Sequence, residues 1–239
     1  MPEGPPSFKT LLPRGFRRLY WALQHGTSPT RAKWSSELAY WREQWSQGRF
    51  DNSYYQHLML AIAGETSPEF LAGQCVADFG CGPQGSLCWA KPARMRIGID
   101  VLADRYSDFG IAAHDMCYVR SSETGIPLPS AYVDVVFTVN ALDHVERLGT
   151  MCSEILRILR PGGELIGSFN IDEPPTVTEP QTLTEGALQE HLLRHLRIVS
   201  RRSAAQGPPG NRYQHFDDGS LPPPRGPRFV WVRGVKDAG

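Results

Sequence analysis

The sequence predicts a doubly wound α/β fold: a mostly parallel sheet with helices on both faces and an N-terminal helical extension. Three observations predict it. Short apolar or β-branched runs alternate with helical periodicity from residue 73 onward, and the first run enters a glycine-rich turn. Ahead of them, residues 1–72 carry many aromatic residues in a helical pattern. The division at that point suggests an extension or lid over 1–72 and a second, larger unit over 73–239.

Within the first zone Leu38, Trp41 and Trp45 fall on one helical face, and a second helix spans Tyr54 to Ala63. Ser67-Pro68 breaks the pattern. Gln74–Phe79 then reads as a buried strand, Arg96–Val101 as another, and Tyr132–Val139 as the clearest of all. The interval between Asp100 and Asp115 makes a poor third strand. Val145, Leu148, Cys152, Ile155, Leu156 and Leu159 recur at helical spacing and stop at Pro161-Gly162-Gly163. Glu164–Phe169 is the next strand, followed by a helix around Gly186–His195 and strands at Arg197–Arg202 and Phe229–Val235. The Gly- and Pro-rich stretch 206–227 between the last two is loop.

The chain has 239 residues, and its 25 basic and 25 acidic side chains cancel. No global field therefore draws it to nucleic acid or to an anionic membrane. The five cysteines (Cys75, Cys81, Cys88, Cys117 and Cys152) form no C-x-x-C pair, so they read as reduced thiols and give no metal motif. The N-terminus lacks the apolar run of a signal peptide, and no stretch has the length of a membrane span. The expectation is a soluble, cytoplasmic protein of undetermined oligomeric state.

Gly80-Cys81-Gly82-Pro83-Gln84-Gly85 matches G-x-G-x-x-G after a strand, and Asp100 follows about 20 residues on, the spacing of a dinucleotide site. Four details point elsewhere. Asp78 puts a carboxylate at a buried strand end, where it can orient the loop or meet a cationic ammonium group. His114-Asp115-Met116 follows the second strand at a distance suited to an adenine. The strand before Asn140 runs into Ala141-Leu142-Asp143-His144, and only about 70 residues follow the fifth strand, few for a separate hydride-acceptor domain.

Taken together, Val76–Gly82, Gly98-Ile99-Asp100, Ile126–Pro129 and Ile158–Gly163 resemble the class I S-adenosylmethionine-dependent methyltransferases, specifically the bacterial group with D-x-G-C-G and L-x-P-G-G motifs. The resemblance implies a seven-stranded Rossmann-like sheet with S-adenosylmethionine as methyl donor. It implies that Asp78, Gly80 and Gly82 hold the methionine part, that Cys81 and Gly85 belong to the same donor-binding loop, and that Asp100 binds the ribose. Val101, Asp115 and Met116 would flank the adenine, and Asn140 would lie by the sulfonium. The family pattern is G-x-G-x-G; here Gln84 lengthens the loop by one residue.

Methyl transfer from a sulfonium needs alignment and exclusion of water, plus a base where the acceptor carries a weakly acidic proton. His144, with Asp143 beside it, is the base candidate by position and intrinsic pKa. The plainer reading, that it caps or packs against the donor site, takes precedence. The 206–227 loop, with Tyr213, His215 and Asp217, joins strands at the same sheet edge and can overhang the acceptor. His191 and His195 lack a third ligand and read as surface residues. Asn140-Ala141-Leu142-Asp143 lacks the prolines and aromatic of N-P-P-Y, which grips a flipped base. The leading expectation is therefore methylation of a small molecule, at an oxygen of a secondary metabolite or glycan. The arginines of the tail (Arg194, Arg197, Arg201, Arg202, Arg212, Arg225, Arg228 and Arg233), with Lys9, Arg14, Arg17 and Arg18, keep an RNA or protein acceptor as the alternative. A non-catalytic donor-binding protein is the third reading, and a nicotinamide oxidoreductase the fourth.

Overall fold

Seven strands form one sheet in the computed structural model of the chain, which describes residues 28–208, 212–217 and 226–237. They are β1 (Cys75–Phe79), β2 (Met95–Asp100), β3 (Cys117–Arg120), β4 (Val133–Val139), β5 (Leu159–Ile171), β6 (Leu196–Ala205) and β7 (Arg228–Lys236). The order is β3-β2-β1-β4-β5-β7-β6. Strands β1 to β5 pair in parallel, and β7 runs antiparallel to both β5 and β6. The expected doubly wound, mostly parallel sheet is present.

The third strand begins only at Cys117. Three single 3-10 turns, Ala103–Arg105, Ser107–Phe109 and Ile111–Ala113, fill the interval after β2. Leu159-Arg160-Pro161-Gly162-Gly163 differs from its expected role as a stop between helix and strand. Strand β5 starts at Leu159, directly after the helix, and these residues form an irregularity whose pairing skips from Val133–Leu159 to Val135–Glu164. The left-handed Gly162 (φ +69°) absorbs the bend.

Alternation along the strands separates two cores, because successive side chains point to opposite faces. On one face Ala77, Ile99, Val136 and Leu165 pack against helix α3 (Leu148–Ile158) and helix α4 (Glu185–His191). On the other, Val76, Val135, Phe137, Ile166 and Trp231 pack against helix α2 (Ser53–Ala63). The β1–β2 connection itself holds no α-helix; it passes through turns that bury Leu87, Trp89 and Ala90 beneath the sheet. The helix covering this face comes from the N-terminal segment, and Gly64 closes it in the left-handed conformation.

Helix α1 (Pro29–Ser46) precedes α2 and starts on Ser28, whose hydroxyl accepts from the Arg31 N–H, with Pro29 in its first turn. Its Trp34, Leu38 and Trp41 pack on Leu102, Tyr106 and Phe109 of the turns after β2. Trp45 meets Phe109 and Phe50 edge-on. The basic stretch Lys9–Arg18, together with Tyr20, Trp21, Asp218 and Arg225, lies outside the described residues.

Met59 of α2 is 0% exposed. Truncation by Met59→Ala is expected to cost about 2–5 kcal/mol, the usual range for a filled core site. Urea denaturation measures it, and a loss below about 1 kcal/mol would show that α2 is dispensable to the sheet.

Candidate active site

Strand order reverses between β1 and β4, so the loops leaving their carboxyl ends diverge and open a crevice, where open α/β sheets bind ligands. The loop after β1 is the glycine loop, and the loop after β4 carries Asn140 to His144. Gly80 (φ +77°) leaves β1 so close to the neighbouring loop that an added Cβ would stand 2.2 Å from the Ala141 Cβ. Gly82 (φ +57°) faces α1, where a Cβ would meet the Trp41 ring at 2.8 Å. Both positions need glycine for conformation and for space.

Asp100, at the end of β2, holds this loop. One carboxylate oxygen accepts from the Gly82 N–H at 3.1 Å and the other from the Leu102 N–H at 2.9 Å. Burial raises its pKa above the usual carboxylate value, and the Leu102, Tyr106 and Gly82 hydrogen bonds oppose that rise. Asp78 lies beneath the loop, buried, with Ser86 Oγ donating to one oxygen and no partner for the other. Burial pushes its pKa to about 7 against the pull of Ser86, and the Asp100 charge adds to the rise.

A cavity of about 560 Å³ occupies the crevice, within the range of small-molecule sites. From one wall to the other it meets Asp100 and Val101 after β2, Gly80 and Gly82 after β1, then Asn140 and His144 after β4. These six expected site residues come together there. Cys81 is buried behind the loop with its Sγ against Gly98, and Gly85 sits against Cys88 and His114; neither lines the cavity. Asp143 is buried next to the wall, held by Asn170.

Asp115 and Met116 correct the expectation. Because the 3-10 turns delay β3 to Cys117, both residues precede the strand and stand at its amino end, away from the glycine loop's edge of the sheet. Asp115 is 77% exposed and paired with Arg96, and Met116 packs in the α2 core. The residues at the carboxyl end of β3 that do line the cavity are Ser121, Ser122 and Glu123.

Sequence reasoning also missed the polar stripe of α1. Lys33, Glu37, Tyr40 and Trp41 recur at one-turn spacing and face the cavity. Lys33 is 2% exposed; its ammonium donates to the His144 carbonyl and lies 3.7 Å from a Glu123 carboxylate oxygen. Glu37 stands 3.2 Å from Nδ1 of His144, and Glu179, from the segment after β5, stands 3.8 Å from Nε2. Burial disfavours the imidazolium, but the Glu37 hydrogen bond and the charges of Asp143, Glu37 and Glu179 outweigh it and raise the pKa of His144. Asp143 is driven to about 6 by burial, with His144 and Asn170 pulling the other way.

The rim of the cavity includes Arg212 from the segment joining β6 to β7. Tyr213 beside it takes a hydrogen bond from the Asn140 side-chain amide, whose oxygen in turn accepts from Ser168 Oγ at 3.0 Å. Asn140 is left-handed (φ +49°), a conformation asparagine tolerates. Four of the tail arginines are paired with carboxylates across the molecule, while Arg194 and Arg197 stand exposed. Arg201 and Arg228 pair with Glu185, Arg228 also with Asp172, Arg233 with Glu65 and Glu164, and Arg212 with Glu173. Arg202 lies over the Trp231 ring, 4.8 Å from its centroid.

These residues fit S-adenosylmethionine. Gly80 and Gly82 line the cavity, Asp100 presents a carboxylate to it, and the aromatic rings of Tyr40, Trp41 and Tyr55 complete its wall.

The comparisons with known proteins agree on one kind of protein. Residues 77–167 match a family model described as a methyltransferase domain. An uncharacterized methyltransferase of Mycobacterium avium is 27% identical over 183 residues, covering 70% of each chain. A probable S-adenosylmethionine-dependent methyltransferase of Mycolicibacterium smegmatis is 34% identical over 103 residues, covering 41% of this chain and 38% of its own. In fold, the crystal structure of an S-adenosylmethionine-dependent methyltransferase from Mesorhizobium loti superimposes with a TM-score of 0.57 at 17% identity, covering 74% of this chain and 96% of that one.

Asp78 supplies a pH test. Its pKa is higher folded than unfolded, so the stability it permits is complete below about pH 4 and lost as the pH rises through about 7. At pH 8 the ionised form costs on the order of 4 kcal/mol. Asp78→Asn is therefore expected to raise the melting temperature of the unliganded protein at pH 8 and leave it nearly unchanged at pH 4.5. Calorimetry at the two pH values checks this, and a lower melting temperature at pH 8 would contradict it.

Proposed function

We propose that this chain, a class I S-adenosylmethionine-dependent methyltransferase, methylates an oxygen of a small molecule, a hydroxyl or carboxyl of a secondary metabolite or glycan. One observation carries the reading of the acceptor. The crevice that starts at Asp100 continues past Gly80 and Asn140 into a partly enclosed polar end framed by His144, Glu37 and Glu179. A recess of this size suits a small polar molecule. An RNA acceptor would draw on the basic tail, and the described arginines Arg201, Arg212, Arg228 and Arg233 are already paired with carboxylates.

In this reading Asp100 accepts from the ribose hydroxyls through the lone pairs its backbone partners leave free. Val101, Ser121 and Ser122 border the adenine in place of Asp115 and Met116. Gly80 and Gly82 let the backbone approach the methionine part, with Asp78 beneath them, and Asn140 stands by the sulfonium. The donor, when bound, supplies a methyl carbon whose bond to sulfur breaks as the bond to the acceptor oxygen forms. The chain aligns the two molecules and excludes water, with Trp41 and Tyr40 of α1 closing over the loop.

His144 faces the acceptor side. When the imidazole is neutral, Glu37 accepts its Nδ1–H, which leaves the Nε2 lone pair free to take the proton of a hydroxyl acceptor. Asp143 stands behind it as a second carboxylate that supports the charged form. A carboxylate acceptor needs no base, so only hydroxyl methylation depends strongly on this pair.

Calorimetric titration with S-adenosylhomocysteine tests the donor site. Wild type is expected to bind it and not NAD, and Asp100→Ala to bind at least about tenfold more weakly, the cost of losing charge-assisted hydrogen bonds. Unchanged affinity would remove Asp100 from the site. For the acceptor, His144→Gln is expected to lower kcat on a hydroxyl acceptor by about 10²–10⁴-fold with the donor KM little changed. An equal rate for the variant would leave His144 a packing residue.

A further inference from the structure

We propose that Asp143, His144 and Glu179 form a divalent-cation site at the acceptor end of the cavity. Each offers one ligand atom, a carboxylate oxygen or an imidazole nitrogen, and the three atoms lie within 4.8 Å of one another. A six-coordinate ion with ligands near 2.1 Å spans about 4.2 Å between opposite donors, so small side-chain rotations close the set.

An independent feature points the same way. Asp143 is 3% exposed, and one of its carboxylate oxygens has no hydrogen-bond partner. A buried, unsatisfied carboxylate oxygen is costly unless something cationic or protic meets it. Its other oxygen accepts from Asn170 Nδ2 at 2.8 Å, which fixes the group's orientation. Among the described residues, His144 is the one basic side chain within 4.0 Å of the Glu37 and Glu179 carboxylates. Lys33, the nearby ammonium, is turned to the His144 carbonyl and Glu123.

The surroundings also resemble the outer shell of a metal centre. Ligating histidines hand their second ring N–H to a carboxylate, and Glu37 stands at Nδ1 of His144 while Nε2 turns toward Glu179. Thr176 donates to the Glu179 oxygen that His144 does not face, at 2.9 Å. Gln181 ties the same segment to the β4 loop through the Asp143 carbonyl. One imidazole with two carboxylates suits Mn²⁺, Zn²⁺ or Fe²⁺, and three protein ligands leave positions open.

The consequence rests on the oxygen-acceptor reading above. Asp143 and His144 follow β4 and Glu179 follows β5, whereas Asp100 ends β2, two and three strand spacings of about 4.8 Å away across the sheet. A cation there would sit on the acceptor side and bind the acceptor's oxygen, drawing charge from it and fixing its position. Nε2 of His144 then serves as ligand rather than base, and the proton of a cation-bound hydroxyl, made more acidic by the ion, passes to solvent water as the oxygen takes the methyl carbon.

Binding itself is testable without any acceptor. The full chain, stripped with a chelator, is titrated with Mn²⁺ while the free ion is followed by electron paramagnetic resonance, and with Zn²⁺ by calorimetry. One ion per chain is expected, with Glu179→Gln and Asp143→Asn each at least about tenfold weaker. Glu179→Gln lies on a partly exposed turn, so its binding decides the matter even where the buried Asp143→Asn fails to fold, and retained S-adenosylhomocysteine binding certifies its fold. Absence of saturable binding of either ion, or equal binding by Glu179→Gln, overturns the site. Stoichiometric binding without oxygen methylation would instead leave the site standing and remove the acceptor reading.

Discussion

Two missing Cβ atoms hold the candidate site together. Gly80 lets the β1 loop pass against Ala141 of the β4 loop, and Gly82 lets the same loop lie under Trp41 of α1. Asp100 then fastens the loop from the third side through the Gly82 N–H. Three elements far apart in sequence thus converge on one short turn at a sheet's switch point, and the turn's Gly80, Cys81 and Gly82 N–H groups are themselves tied to Ile99 and Asp100 of β2. A side chain at either glycine would push the β4 loop or α1 away and open the pocket along its length.

That convergence explains the unusual use of the N-terminal segment. With no α-helix between β1 and β2, α2 covers the vacant sheet face, and α1 crosses the crevice with a polar stripe inward. Lys33 and Glu37 grip His144 through its carbonyl and its ring. The helix is therefore amphipathic in an inverted sense. Its aromatic face packs on the turns after β2, and its charged positions meet the site. The carboxylates that collect there set the chemistry of the acceptor end.

Much of the sheet was legible in the sequence. β1, β2 and β4 are continuous apolar or β-branched runs, as strands buried on both faces must be, and α3 has a clean helical period. Asp100, Gly80, Gly82, Asn140 and His144 were legible because they sit at fixed offsets from those strands. Ser121, Ser122 and Glu179 were not, since polar residues in loops carry no period, and β3 starts later than the spacing from Asp100 suggested. Lys33 and Glu37 carried no signal, because charged positions of an amphipathic helix ordinarily face solvent, whereas here the fold turns them inward. Counting charges along the tail misled in a similar way. The acids that neutralise Arg201, Arg228 and Arg233 come from residues 65, 164, 172 and 185, mostly far from the arginines in sequence.

The central claim is that one ligand site is built jointly by α1 and the glycine loop. Amide hydrogen exchange followed by mass spectrometry, with and without saturating S-adenosylhomocysteine, tests it most directly. The account predicts that peptides covering residues 29–46 and 80–86 gain protection together, along with the start of the β4 loop at 140–144. Protection of the glycine loop with α1 unchanged, or no protection at 80–86, would contradict it.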